Sequence, residues 1–307
     1  MALKGYFPLP PVKSCNAERE DKISPRFTGK LRYTKIMNSD LSNPATNTLI
    51  GENDPPAYEV LNPEGKATML LICDHASRAM PHAMNNLGLD QQALEKHIAW
   101  DIGAAAVTRI LSEKLDAAAV LAGYSRLLID VNRQPGDPDS IPQISDGTPV
   151  PGNTNLSESQ ELERVESFFW PYHHALANTL AHLWRRGPAP ALFSIHSFTP
   201  SLGGTDRYWD IGVLWNRDPR LAIPLLEKLK EADGGRYHVG DNEPYSGRDI
   251  AYTIDFHASA AGLPSCAVEI RQDLIETPEG IRHWAEVLKV AFKEILTQAT
   301  LHEVEHF

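Results

Sequence analysis

From residue 67 onward, short apolar runs alternate with longer stretches whose apolar positions recur at helical spacing, the pattern of a layered α/β domain. The runs 67–73, 119–122, 126–131, 191–196, 209–215 and 266–270 predict strands. None alternates strictly with polar residues, so each is expected inside a sheet covered on both faces. Helices are predicted over 157–186, 219–232 and 278 to about 305, the first opened by Ser157 with Gln160 three residues on, a capping-box pattern. Residues 90–115 also read as helical, with an interruption near Gly103. Residues 134–155, rich in Pro, Gly, Asp and Ser, read as a long surface excursion, and such loops are often functional. The expected architecture is three-layer α/β/α around a mixed, mostly parallel sheet. No repeat or linker divides residues 51–307, which read as one catalytic-sized domain behind an irregular arm, 1–50.

Charge separates the two parts. Residues 1–36 carry eight Lys and Arg against Glu18, Glu20 and Asp21, a net of +5 that leaves −16 for the remainder of a chain whose total is −11. The arm lacks the apolar core of a secretory signal, and Pro8, Pro10, Pro11 and Pro25 break any amphipathic helix. Met37, ahead of a polar, turn-rich stretch, is a candidate natural start. With 42% apolar and 22% charged residues in 307, the chain has the makings of a substantial core and none of the marks of a disordered or fibrous protein. No apolar stretch approaches the roughly 20 residues of a membrane-spanning helix. The acidic balance argues against nucleic acid as a partner, because phosphate-backbone binders concentrate Lys and Arg. Cys15, Cys73 and Cys266 are odd in number and widely spaced, which suggests a reducing compartment, the cytoplasm, and no disulfide framework. Neither nucleic acid nor membrane is expected as a partner, and a homo-oligomer remains open.

The candidate chemistry collects where predicted strands end. His75 follows the run MLLICD and His196 follows ALFSI, so both emerge at carboxyl ends of central strands, the usual ligand position of an open α/β sheet. Most of the 12 histidines are expected to be ordinary core or surface residues. His75 and His196 differ because each is followed within two residues by a hydroxyl residue and then by a turn, and neither lies on an apolar helical face. Glu269 lies inside the apolar run CAVEIRQDL, and a carboxylate in the middle of an apolar strand costs free energy to bury unless it is paired, coordinated or proton-shared. Arg271 is the ordinary partner for it; a general base beside a metal-activated water is the sharper reading. His173 and His174 are neighbours on a helix and point about 100° apart, so they read as core or solvated positions and not as ligands. Cys73 reads as core.

These residues carry a resemblance. SIHSFTP and AVEIRQD are similar to the second zinc-histidine strand end and the catalytic-glutamate strand of the zinc carboxypeptidase superfamily, and Asn132-Arg133 matches its carboxylate-holding pair. The chain more closely resembles the N-formylglutamate amidohydrolase family, through DHAS at 74–77, SRLLIDVNR at 125–133, SIHS at 194–197 and NEPYSG at 242–247, all in family order and covering about residues 67 to 275. One departure stands out: the position three after His75, a ligating glutamate in carboxypeptidases, is Arg78. A catalytic zinc takes three protein ligands and keeps one position open. Asp101, a carboxylate in an apolar helical stretch that resembles the family's Asp-containing helix, is the candidate third ligand beside His75 and His196. Asp74 and His97 are the alternatives.

What the resemblance implies is Zn(2+)-dependent hydrolysis of N-formylglutamate or a related N-acyl amino acid in histidine degradation. Zinc would polarise the formyl carbonyl and activate water, Glu269 would carry the proton, and Arg126 would stabilise the oxyanion. Arg133, with Asn132, Tyr245 and Ser197, would bind the small-molecule substrate, the arginine fork offering two hydrogen bonds to a carboxylate. Two rivals remain: a zinc amidohydrolase of different N-acyl specificity, and a non-catalytic binding module on the same fold.

Overall fold

Every residue of the strands Met69–Cys73, Ala118–Ala122 and Ala191–Phe198 is buried, as a sheet covered on both faces requires. The computed structural model describes residues 49–248 and 251–307. The basic segment 1–36, Cys15 and Met37 lie outside the described residues. In chain order the elements are β1 (Tyr58–Leu61), β2 (Met69–Cys73), α1 (Gln91–Leu94), α2 (Ala104–Leu115), β3 (Ala118–Ala122), β4 (Ile144–Ser145), β5 (Thr148–Pro149), α3 (Glu158–Arg164) and α4 (Trp170–Arg186). There follow β6 (Ala191–Phe198), β7 (Ser201–Leu202), β8 (Thr205–Asp206), β9 (Ile211–Leu214), α5 (Pro219–Glu231), β10 (Val239–Asp241), α6 (Tyr252–His257), β11 (Ser265–Arg271) and α7 (Pro278–Ile295).

Seven strands form the central sheet in the order β1-β3-β2-β6-β11-β9-β10. The inner strands β3, β2, β6 and β11 are mutually parallel, as are β9 and β10, whereas β1 runs antiparallel to β3 and β9 to β11. Successive strand residues face opposite sides. Leu71, Cys73, Phe193 and Ile195 therefore join α2, α5 and α7 in one core, and Leu70, Ile72 and Leu192 join α4 in the other. That gives the expected three layers. Phe193 meets Phe292 of α7 edge-on at 4.6 Å, a geometry worth about 0.5–1.5 kcal/mol beyond area burial. Because β2, β6 and β11 run the same way, their carboxyl ends lie side by side, and loops leaving them share one crevice.

The main departure from the pattern-based reading is residues 126–131, which form turns and not a strand. Their backbone groups are satisfied without a ladder. Arg164 donates to the Leu128 carbonyl at 2.8 Å, Asn153 to Leu127 at 2.9 Å and His173 to Val131 at 2.9 Å, while the Asp130 N–H donates to the Ser140 carbonyl at 2.7 Å. The same Asn153 side chain, which also donates to Pro142, pins the excursion 134–155, whose middle folds into the β4–β5 hairpin. Ser157 opens α3 with both bonds of a capping box, but α3 and α4 are joined through a π turn at Val165–Phe169. Helix α7 stops at Ile295, and the His302 ring caps the freed Leu296 carbonyl at 3.0 Å. The expected 90–115 helix is only α1 and α2, broken by irregular chain that ends at Gly103. Short or mixed-polarity elements, β1, β10 and α6, escaped the pattern. Among the described residues no helix is long and apolar enough to cross a membrane.

Candidate active site

Asp74 and His75 directly follow β2, and the Asp101 N–H donates to the His75 carbonyl at 2.9 Å, which stitches the two segments together. Gly103 makes this approach feasible. Its φ is +82°, and a Cβ there would stand 2.3 Å from the Ile275 carbonyl oxygen, so only glycine lets the chain turn into α2 and leave Asp101 at the strand end. The Ser197 hydroxyl donates to the Ile102 carbonyl at 2.8 Å and fastens the same turn to β6. Within the sheet His196 and Glu269 are register partners across β6 and β11, so their side chains share one face. Glu269 is flanked on its other side by Gly212 of β9.

His75, Asp101 and His196, all buried, each offer one ligand atom within 4.8 Å of the others. Asp101 Oδ2 lies 2.8 Å from His196 Nδ1 and 3.3 Å from His75 Nδ1. The outer ring nitrogens are held too: His75 Nε2 by Asp130 at 2.7 Å, and His196 Nε2 by the Ser194 hydroxyl at 2.9 Å and Asp74 at 3.2 Å. Two imidazole nitrogens and one carboxylate facing inward, with carboxylates orienting both rings from behind, fit a divalent metal such as zinc. Neither alternative third ligand joins this group. Asp74 is turned to His196 and to the Tyr172 hydroxyl at 2.9 Å, and His97 pairs with Asp146 at 3.3 Å.

Burial opposes ionisation of Asp101, yet His75 and His196 outweigh it and hold the carboxyl far below the usual range. Burial likewise disfavours a charged His196, but the bonds to Asp101 and Asp74 raise it well above an ordinary histidine. At Glu269 burial wins. It pushes the carboxyl up to about 7, with Asp101 adding to the rise and His196 restraining it. Its Oε2 is buried without a hydrogen-bond partner among the described residues, an acceptor the fold leaves open beside the donor group.

The remaining candidates line the same cavity of about 220 Å³. This is below the ~300 Å³ at which drug-sized pockets begin and suits an amino-acid-sized ligand. Arg126 donates to Asp130 at 2.6 Å and keeps its other amino group 3.2 Å from His75 Nδ1. Asn132 Oδ1 accepts from the Thr253 N–H at 3.0 Å, which leaves its amide nitrogen for a ligand. Arg133 lines the cavity and its side chain makes no hydrogen bond or ion pair among the described residues. Tyr245 is carried by a loop laid against bare strand backbone: a Cβ on Gly212 would stand 1.9 Å from the Glu243 carbonyl oxygen. Asn242 Oδ1 closes that loop by accepting from the Trp215 and Gly247 N–H groups, each at 3.0 Å.

Other polar residues lie elsewhere. Arg78 is exposed, 3.7 Å from Glu95 and stacked over Trp100. His173 is buried, its Nδ1 2.8 Å from His257 Nε2, while His174 is exposed. The sequence reading overlooked Asp130, the carboxylate that orients both His75 and Arg126. Its signal was the one used for Glu269, an acid inside an apolar run, here LLIDV.

The N-formylglutamate amidohydrolase family matches residues 67–276. Among solved structures, a gene product from Agrobacterium tumefaciens is 35% identical with a TM-score of 0.78, over 81% of this chain and 98% of that one. N-formylglutamate amidohydrolase from Ralstonia eutropha JMP134 shares the fold at 20% identity and a TM-score of 0.58, over 79% of this chain and 98% of that one. No match was found among curated proteins.

Proposed function

The chain belongs to the N-formylglutamate amidohydrolase family and is a hydrolase of amide C–N bonds, and from that membership we propose a zinc enzyme that cleaves N-formylglutamate or a related N-acyl amino acid. The products are formate, or the corresponding acid, and the free amino acid. The observation that carries this reading is the three-donor group of His75, Asp101 and His196 with the unpaired Oε2 of Glu269 on the same face of the sheet.

Zinc, when bound by these residues, supplies a Lewis acid for the formyl carbonyl and acidifies water. The chain's own groups do the rest. Glu269 accepts a proton from the attacking water at Oε2 and returns it to the leaving amide nitrogen, so the carboxylate is regenerated each cycle. A carboxyl raised to about 7 by burial is suited to both halves of that transfer. Arg126, its fork fixed by Asp130, presents its second amino group to the negative charge that develops on the formyl oxygen. Arg133, with no ion-pair partner among the described residues, receives the α-carboxylate in bidentate fashion, with the Asn132 amide beside it. The Tyr245 hydroxyl donates to the carboxylate or the scissile amide. Ser197 contributes by holding the Asp101 turn, since its hydroxyl is committed to Ile102.

The test is formate or acid release by zinc-loaded protein from a panel of N-formyl and N-acetyl amino acids, with metal analysis of His75→Ala and His196→Ala. Turnover of N-formyl amino acids and loss of stoichiometric zinc in both variants are expected. No release from any member of the panel would overturn the reaction. Full zinc occupancy in either variant would overturn the site.

A further inference from the structure

His173 and His257 are buried histidines that the reaction above does not use. His173 Nδ1 lies 2.8 Å from His257 Nε2, and His173 Nε2 lies 2.9 Å from the Val131 carbonyl oxygen. A carbonyl oxygen only accepts, so His173 carries its hydrogen on Nε2. Burial lowers both rings from the ordinary histidine range, which leaves each neutral at neutral pH with a single N–H. His173 Nδ1 is therefore the acceptor, and His257 donates to it from Nε2. The ring planes are 10° apart with centroids at 5.1 Å, so the two bonded nitrogens lie between the ring centres and the bond runs close to the ring plane, where the nitrogen lone pair points. Hydrogen bonding thus runs one way, from His257 to His173 to Val131.

Val131 directly precedes Asn132 and Arg133, which line the catalytic cavity, and this stretch has no strand ladder to hold it. Helix α6 fastens the same turn a second time. The Thr253 N–H donates to Asn132 Oδ1 at 3.0 Å, and the Thr253 hydroxyl donates to the Val131 carbonyl at 3.4 Å. Thr253 and His257 are four residues apart on α6 and so share one face. We propose that His257, acting through His173, is a positioning residue that presets the Asn132–Arg133 turn for the substrate α-carboxylate. The proposal rests on the reading above, in which Arg133 takes that carboxylate. Without His257 the His173 ring is free to carry its hydrogen on Nδ1 and to turn a bare nitrogen toward the Val131 carbonyl. The turn then loses an anchor, and the arginine fork must be ordered when the substrate binds.

The test measures kcat and KM separately in zinc-loaded wild type, His257→Leu and His257→Gln, whose amide keeps an N–H donor. The substrates are N-formyl-L-glutamate and a neutral formyl amide lacking the α-carboxylate. His257→Leu should raise KM for N-formyl-L-glutamate about three- to tenfold, the worth of one neutral hydrogen bond, with kcat within about twofold. KM for the neutral amide and the zinc Kd should stay at wild-type values, and His257→Gln should recover most of the loss. An unchanged KM for N-formyl-L-glutamate, an equal rise on both substrates, or no recovery in His257→Gln overturns the proposal. Nitrogen NMR of wild type labelled at histidine reads the tautomers without any variant having to fold. Both rings should be Nε2–H, and an Nδ1–H tautomer at either overturns the proposal. L-Glutamate binding by calorimetry separates the positioning from the reaction: weaker binding in both Arg133→Met and His257→Leu, without formate release from any substrate, would support the positioning and overturn the reaction. Formate release with the KM for N-formyl-L-glutamate unchanged in His257→Leu would do the reverse.

Discussion

Truncating Asp130 to alanine separates metal binding from fold stability more sharply than removing a ligand. Asp130 is 3% exposed and accepts from His75 Nε2 at 2.7 Å, from Arg126 at 2.6 Å and from the Asn132 N–H at 2.9 Å. Without it the His75 ring loses the bond that fixes its tautomer and orientation. Loss of such an outer carboxylate lowers metal affinity about 10–100-fold, or roughly 1.4–2.8 kcal/mol. Arg126 also loses its close anion, but its side chain is 30% exposed and water recovers part of that loss. A stability cost toward the low end of about 1–3 kcal/mol follows. For a domain of this size that is about 2–4 °C in Tm per kcal/mol. Zinc Kd by chelator competition and Tm by calorimetry measure the two effects separately. Glu59→Ala, which breaks an exposed ion pair with Arg109, is the control and should alter neither by much. A zinc Kd within about twofold of wild type in Asp130→Ala, beside a lowered Tm, would refute the orienting role and leave Asp130 purely structural.

Glu269→Gln should retain stoichiometric zinc while turnover falls about 10²–10⁴-fold, because it removes the proton carrier and no ligand; unchanged turnover would give Glu269 a structural role. Arg133→Met should lower kcat/KM at least about tenfold, and Arg133→Lys less, with zinc content unaltered. A neutral formyl amide lacking the α-carboxylate is the control, and an equal loss on it would withdraw the carboxylate contact. His257 offers a pH test away from the metal group. Burial, with His173 beside it, lowers its pKa to about 4, whereas the unfolded chain titrates near ~6.5. Between those values only the unfolded state takes up the proton, so stability should fall as pH drops from about 6.5 toward 4. Tm measured across that window should decline less steeply in His257→Gln, and parallel profiles would contradict the argument.

The sheet was readable because central parallel strands are apolar throughout. The residues MLLIC, ALFSIHSF and CAVEIR admit no solvated face, so His196 and Glu269 stood out as polar groups that burial alone does not explain. Residues 126–131 misled for the same reason. LLI is equally apolar, but whether a buried backbone pairs with a strand or with side chains such as Arg164 and Asn153 depends on residues distant in sequence. Asp101 carried a local signal, an acid in an otherwise apolar stretch, although a sequence cannot show that Ile275 closes against Gly103 and turns the chain into α2.

The central claim, that His75, Asp101 and His196 hold the catalytic metal beside Glu269, is tested most directly by anomalous diffraction at the zinc edge from crystals of zinc-loaded protein. A single strong peak is predicted at about 2.0–2.2 Å from His75 Nδ1, His196 Nδ1 and an Asp101 carboxylate oxygen, with Glu269 facing its open side. A peak held by Asp74 or His97 in place of Asp101, or zinc bound elsewhere while this cluster stays paired as His–Asp–His, would contradict it.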